Sequence, residues 1–371
     1  MRHLGRLVVL LLAFANLLCT GMLLASGYSP YIQPVNHPLL SCLGLAFPVF
    51  LLVNGAFLLF WVLVQQYRYM LLSLAGFLFC FPQMRTYLPL NFSSDEVPAG
   101  GLKIVSYNIM GFGIQPEGEA VNPVLAYLKE SGADILCLQE YAVGHTARHP
   151  SQKEVDKALA DYPYHRIDVV GKNRTNHIAC YSKLPILSAR PLEYASASNG
   201  TWVYELAWGK DTLLLINNHL ESNKLTREDK VVYEDMLRDP EGAKVKSGTR
   251  LLAGKLAEAS AIRAPQADAI AREVRRSPHR YIVVCGDFND SPISYTHRVI
   301  GEELEDAFTE VGCGLGISYN RNKFYFRIDH ILNSPALKAL HCRVDRGIKA
   351  SDHYPIVCSF VRCFPADRGG G

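Results

Sequence analysis

Hydrophobic positions along the chain follow two regimes that change near residue 90. Before it they form long unbroken runs, Leu7 to Ser26, Leu39 to Val64 and Tyr69 to Met84. The first matches the roughly 20 residues that a helix needs to cross about 30 Å of hydrocarbon. It spans a membrane or is a signal peptide, and the two later runs favour spanning, since a cleaved leader has no need of them. The pattern predicts an anchor over residues 1–90 of about three transmembrane helices. The third run is short enough to lie in the interface instead. Pro48 and Asn54 inside the second run read as a kink whose polar groups neighbouring helices satisfy.

Residues 91–101 are polar and rich in Ser, Pro and Gly, which reads as a linker. Beyond them the apolar runs shorten to strand length, at Leu102–Ile109, Asp134–Leu138, Ile178–Ser182, Trp202–Trp208, Thr212–Asn217, Tyr281–Cys285, Ile328–Leu332 and Ile356–Val361. Ile135-Leu136-Cys137-Leu138 and Leu213-Leu214-Leu215-Ile216 have no polar face, as in strands covered on both sides. Helical patterns at Asn122–Ser131, Thr226–Leu237 and Arg250–Arg276 supply the cover, and Thr226 with Asp229 has capping-box spacing. Together these predict an α/β domain over residues 102–363 and a flexible tail, 364–371. The polar excursion from Asn223 to Pro278 leaves directly after His219, so its start is either a substrate-selecting rim or plain helical cover.

Charge sharpens the boundary. Residues 1–90 contain Arg2, Arg6, Arg68 and Arg85 but no Asp or Glu. Taking these four from the 38 basic residues leaves 34 against 35 acidic, so the net +3 belongs to the anchor. The near-neutral domain lacks the basic footprint of a sequence-blind nucleic-acid binder. Arg2 and Arg6 precede the first run, Arg68 follows the second, and Gly27 to Pro38 carries no Lys, Arg, Asp or Glu. That asymmetry predicts an amino terminus inside the cell and, after three crossings, an extracytoplasmic domain on a multi-pass protein of the cell membrane. The cysteines show no metal-binding spacing. Cys137, Cys285 and Cys358 sit in apolar strands as small hydrophobes, while Cys313, Cys342 and Cys363 leave room for one disulfide.

Polar islands end the apolar runs: Ser106-Tyr107-Asn108, Gln139-Glu140, Asn218-His219, Gly286-Asp287-Phe288-Asn289 and Ser351-Asp352-His353. Carboxylates, carboxamides and imidazoles at strand ends form the set that holds a hard divalent cation and moves protons around a phosphate. Asp287 and Asn289, two apart, leave an extended segment on one side. With Asp329 between the last two islands, this order resembles the endonuclease/exonuclease/phosphatase superfamily, which spans deoxyribonuclease, sphingomyelinase and inositol-phosphatase-like enzymes. The resemblance covers residues 102–361 and none of the anchor.

The resemblance implies a four-layer α/β sandwich, two stacked mixed or mostly antiparallel sheets flanked by helices. It also implies that Asn108, Glu140 and Asp352 bind Mg²⁺ or Mn²⁺ and that Asp287 and Asn289 position the attacking water and the phosphate. His353 becomes an acid/base group with Asp329 as its partner, and His219 a donor to a phosphate oxygen. A carboxylate beside an imidazole favours the protonated form and fixes the tautomer. Met110 stands two after Asn108, where abasic-site enzymes carry an acid, so that specificity is unsupported. Asp168 is the candidate partner of His219. Arg174, Asn176, His177 and Tyr181 occupy a stretch that contacts substrate in some members, and His330 reads as structural. The expected function is a metal-dependent hydrolase of a lipid or small soluble phosphoester, with the bilayer as its partner. A Mg²⁺-dependent endo- or exonuclease on DNA or RNA is the alternative, and a catalytically inactive membrane-tethered binding domain the third reading.

Overall fold

The computed structural model describes residues 2–92, 100–113, 115, 121–144, 146, 149–238, 245–321 and 324–363. The expected tail and most of the expected linker lie outside them. The first apolar run folds as α1 (Arg2–Tyr28), and a short turn, α2 (Pro38–Ser41), leads into α3 (Phe47–Leu63). α4 (Tyr67–Phe79) and α5 (Phe81–Tyr87) follow. Two helical stretches, Gly5–Tyr31 and Pro38–Leu63, are long and apolar enough to cross a membrane. The third run divides at Cys80, so α4, with 13 residues, rises only about 20 Å by itself. The kink expected at Pro48 is absent: Pro48 stands in the first turn of α3, where its missing amide is no loss.

This bundle is inside out. Asn16, Thr20, Asn54 and Ser73 are buried between α1, α3 and α4, while Leu11, Phe14, Leu17, Leu52 and Leu63 face outward. Thr20 Oγ1 donates to Asn54 Oδ1 at 2.7 Å, Asn16 Nδ2 to Ser73 Oγ at 3.0 Å and Trp61 Nε1 to Asn16 Oδ1 at 2.9 Å. The α1–α3 connection and the end of α5 both meet the domain. Arg298 Nε donates to Pro30 O at 2.9 Å, Arg85 pairs with Glu310 at 2.9 Å, and Arg327 donates to the carbonyl of Thr86. Ile293 of the domain inserts among Leu23, Phe47 and Cys80. Gly44 permits this approach, since a Cβ there would lie 2.0 Å from Ile293 O.

In chain order the domain consists of β1 (Leu102–Asn108), α6 (Pro123–Glu130), β2 (Ile135–Gln139), α7 (Gln152–Ala158), β3 (Tyr164–Val170), β4 (Asn176–Ser182), β5 (Ile186–Pro191), β6 (Gly200–Trp208), β7 (Asp211–His219), α8 (Arg227–Arg238), α9 (Val245–Arg276), β8 (Tyr281–Asp287), α10 (Tyr295–Ile300), β9 (Glu305–Asp306), α11 (Ala307–Val311), β10 (Asp329–Asn333), β11 (Leu337–Val344) and β12 (Ile356–Arg362). Two six-stranded sheets result, ordered β11-β12-β1-β2-β4-β3 and β5-β6-β7-β8-β10-β9. Both are mixed, with β1–β2 and β7–β8 parallel and the remaining pairs antiparallel.

The sheets stack on Ile104, Cys137, Leu213, Leu215, Val283 and Ile331. The outer face of the first packs on Val124, Leu128 and Val155 of α6 and α7; that of the second packs on Ala264, Ala267, Ile270 and Val299 of α9 and α10. Four layers follow, as expected. Alternate residues of β2 and β7 serve opposite covered faces, which is why their sequences show no polar side. The strands that the apolar pattern leaves unseen, β3, β5, β9 and β11, are the outer strands of the two sheets. All the cysteines are unpaired, Cys313, Cys342 and Cys363 included. Thr226 N donates to Asp229 Oδ2 at 2.7 Å and Asp229 N to Thr226 Oγ1 at 3.3 Å, the reciprocal cap that their spacing predicted.

Candidate active site

Strand register gathers the polar islands at one end of the sandwich. His219 ends β7 opposite Asp287, which ends β8, and Asp329 opens the antiparallel β10 opposite Asp287. In the other sheet Asn108 ends β1 beside Gln139 of β2, with Glu140 next, and His353 lies just ahead of β12, the antiparallel neighbour of β1. Gly286, at φ 131°, lets β7 and β8 close up here, because a Cβ would lie 2.0 Å from Asn218 O. Glu140 and Asn289 leave their strands through left-handed backbone, at φ 50° and 52°.

Asp287 is the hub. Its Oδ1 accepts from Asn289 N at 2.8 Å and its Oδ2 from Asn108 Nδ2 at 3.1 Å. That Oδ2 also lies 3.7 Å from the Nε2 atoms of both His219 and His353. His353 Nδ1 donates to Asp329 Oδ2 at 2.8 Å, and Asp329 is fixed in turn by Ser318, whose Oγ accepts from its amide at 3.1 Å. Ser351 Oγ donates to Asn108 O at 2.8 Å, tying the His353 loop to β1. A cavity of about 280 Å³ lies over Glu140, His219, Asp287, Asn289, Asp352 and His353.

The two imidazoles are pushed apart in basicity. Burial pulls both down. For His353 the carboxylates of Asp329 and Asp287 outweigh it and push the group up to about 10, whereas for His219 burial wins over the charge of Asp287. Burial also raises the carboxyl of Asp287, opposed by the charge of His353. One end of the site thus holds a proton at neutral pH while its neighbour His219 is neutral, a division that suits acid and base roles.

Glu140 and Asp352 supply hard oxygen donors on the cavity wall. Burial raises the Glu140 carboxyl, a hydrogen bond from Asn108 and the charge of His353 oppose it, and the charge of Asp352 adds to it. A divalent cation would offset the burial and the charge of Asp352 that raise Glu140, so the two carboxylates fit one. Asn108 turns Nδ2 toward Glu140 Oε1 at 3.1 Å, and its oxygen accepts from Met110 N at 3.2 Å. It is therefore placed to orient the carboxylates. Asp287, Asp329 and His353 also cluster closely enough to be considered as ligands, with His353 Nδ1 already bonded to Asp329 Oδ2 at 2.8 Å.

Other expectations change. Asp168 does not reach His219; it bonds Arg166 at 2.9 Å and the Tyr204 hydroxyl at 3.1 Å. The partner is Asn176, whose Nδ2 faces His219 Nδ1 at 3.3 Å. Tyr181 is buried under α7 and bonds Tyr141 at 3.1 Å. Ser106, Gln139 and Asn217 form a polar seam between the sheets, with Gln139 Nε2 donating to Asn217 Oδ1 at 2.7 Å. His330 bonds Asp290 O at 3.0 Å, in keeping with a structural role. The start of the 223–278 excursion does line the cavity, through Asn223, Lys224 and Leu225.

Among solved structures the chain is similar to TDP2 of Caenorhabditis elegans, at 18% identity over 78% of this chain and 83% of that one, TM-score 0.48. It is also similar to D. rerio TDP2 complexed with single-strand DNA product, at 17% identity over 70% and 99%, TM-score 0.47. An endonuclease/exonuclease/phosphatase from Beutenbergia cavernae matches at 15% identity over 71% and 72%, TM-score 0.47. No curated protein matches the chain. A family described as a domain of unknown function (DUF8431) matches residues 9–87, the helix bundle. The Endonuclease/Exonuclease/phosphatase family matches residues 105–353. Because that match runs from the first strand of the domain to the imidazole that closes the constellation, the chain belongs to the endonuclease/exonuclease/phosphatase family.

Proposed function

We propose that the chain is a divalent-metal-dependent phosphodiesterase or phosphatase, with residues 102–363 as its catalytic domain and residues 1–90 as a three-pass anchor. Members of the family are metal-dependent phosphoester hydrolases. The observation that carries the reading is the His353–Asp329 pair facing Asp287 and His219, with the carboxylates of Glu140 and Asp352 on the wall of the same cavity.

Asp287, raised by burial and held by Asn289 N and Asn108, is the base that takes a proton from the attacking water. Asn289 lines the cavity beside it and positions that water and the phosphate. As the water oxygen bonds to phosphorus and the bond to the leaving oxygen breaks, His353 Nε2 gives its proton to that oxygen. Asp329 holds the imidazole in the required tautomer. His219 accepts from Asn176 at Nδ1, which leaves its Nε2–H to donate to a non-bridging phosphate oxygen. Mg²⁺ or Mn²⁺ held by Glu140 and Asp352, with Asn108 behind them, would offset the charge that grows on the phosphate.

Two features support the membrane reading. Apolar side chains cover the outside of the helix bundle while its polar ones pair within. Arg2, Arg6 and Arg68 belong to the helix ends remote from the domain contacts, an asymmetry that favours a domain outside the cytoplasm.

The test is hydrolysis of a phosphodiester dye by the full chain in detergent. Turnover that disappears with a chelator and returns with Mg²⁺ or Mn²⁺ is expected. No turnover of dye, nucleic acid or lipid phosphoester with either metal overturns the reading. A reporter fused after Pro89 that is active only in the cytoplasm overturns the orientation.

A further inference from the structure

The catalytic cavity has two kinds of wall. One part is the polar constellation, and another is formed by Leu45, Leu225, Leu256, Ile293, Phe324 and Phe326. Moving a phosphate does not require such a wall; recognising an apolar alcohol attached to it does. Leu45 comes from the connection between α2 and α3, so the anchor itself completes the site. That connection is seated on the domain, with Ser41 Oγ meeting Ser260 Oγ of α9 at 3.5 Å. Ile293 belongs both to the wall and to the apolar cluster with Leu23 and Phe47 of the bundle. On α2 beside it, Leu39 and Leu40 are 60% and 50% exposed. Apolar side chains thus lead from the catalytic groups to helices whose outer surface is lipid-like.

The basic residues on this wall are already committed. Lys224 Nζ lies 3.4 Å from Glu221 and 3.7 Å from Glu258. Arg263 donates to Asp290, to the carbonyl of Glu221 and to Asn223. A strand of successive phosphates needs a basic groove, and the two cations among the described residues of the wall, Lys224 and Arg263, each already face a carboxylate. The volume of about 280 Å³ admits a phosphate and a short apolar segment, which suits a molecule whose remainder stays elsewhere.

We infer that the substrate is a membrane lipid phosphoester, its phosphate at His219 and His353, its apolar alcohol along the Leu45–Leu256 wall and its tail still in the bilayer. The inference rests on the hydrolase reading above. Water adds across one P–O bond of the lipid, and no further reactant is needed.

The experiment uses the full chain with Mg²⁺ or Mn²⁺ and three probes. These are a water-soluble phosphodiester dye, a single-stranded oligonucleotide, and phosphatidylcholine vesicles carrying in turn phosphatidylethanolamine, phosphatidylglycerol, phosphatidylinositol or sphingomyelin. Hydrolysis of a vesicle lipid is expected. Leu45→Glu and Leu256→Glu should each lower its kcat/KM by about tenfold relative to that of the dye, the value of one apolar side-chain contact. The melting temperature in detergent reports whether each variant is folded. Dye turnover without hydrolysis of any vesicle lipid overturns the inference and spares the hydrolase reading, as does lipid hydrolysis that both variants leave unchanged. An oligonucleotide hydrolysed in preference to every lipid overturns it in favour of a nuclease, and silence on all probes removes both readings.

Discussion

The helix bundle and the domain it carries both bury polar groups, but they treat them differently. In the bundle, Asn16, Thr20, Asn54, Ser73 and Trp61 satisfy one another across α1, α3 and α4. Lipid tails are as apolar as leucine, so hydrogen bonds and close packing hold such helices together. At the end of the sandwich that carries the candidate site the polar groups are left in imbalance. Asp329 Oδ1 is buried without a hydrogen-bond partner among the described residues, the carboxylates of Asp329 and Asp287 push His353 up against burial, and Asp287 is raised by its own burial. A satisfied buried network is structural glue. One that holds charge in reserve stores the differences in proton affinity that catalysis uses.

That contrast is broken most severely at His353. His353→Ala should lower kcat/KM by about 10²–10⁴-fold and also lower thermal stability, because Asp329 is left buried without its imidazole; near-wild-type turnover per folded molecule would end its assignment. The charge can be tested separately. The His353 imidazole, pushed up to about 10 by Asp329 and Asp287 against burial, loses its proton only in strong base, so the rate should hold until that pH and then fall. In Asp329→Asn the support for the charged form weakens, the imidazole titrates lower, and the alkaline decline in kcat/KM should begin at lower pH. An unmoved decline would mean that another group sets it.

Gly286→Ala tests where fold and site meet. The added Cβ clashes with Asn218 O in a backbone conformation at φ 131°, so both stability and activity should fall, the former by more than about 2 kcal/mol. Full activity with an unchanged melting temperature would show that β7 and β8 can separate without harm. In the bundle the expected effect is smaller. Asn54→Leu removes the acceptor of Thr20 and should cost about 1–2 kcal/mol of stability in detergent, with soluble-dye turnover per folded molecule unchanged. If turnover falls too, the glue and the site are coupled.

How much of this was legible in the sequence depends on burial. The inner strands announce themselves because both faces are covered, and every residue of β2 and β8 is buried. The strands missed are the four at the sheet edges, where solvent on one flank relaxes the demand for apolar residues; β5 has no fully buried position. Asp287, His219, Glu140 and His353 could be read because each interrupts or ends an apolar run. Asn176 and Ser351 could be named but their partners could not, and Ser318 gave no sign at all, since the meaning of each comes from a partner in another strand or loop. Leu45 was hidden for a related reason: it lies among the apolar residues of the helix bundle, and only the contact of the α2–α3 connection with α9 brings it to the cavity.

Asn176 offers the smallest and most discriminating test. Its Oδ1 accepts from His177 N at 2.9 Å, which fixes the amide so that Nδ2 points at His219 Nδ1. The imidazole must then carry its proton on Nε2, facing Asp287 at 3.7 Å and Glu140 at 3.8 Å. Asn176→Ala leaves the catalytic atoms in place and releases only this preference, so kcat/KM should drop by about 3–10-fold, the worth of one hydrogen bond. Built on His219→Ala, the same change should cost nothing further, because the two act as one unit. A loss that persists without the imidazole would show that Asn176 supports the backbone of β4 instead. His219 would then owe its tautomer to the neighbouring carboxylates alone.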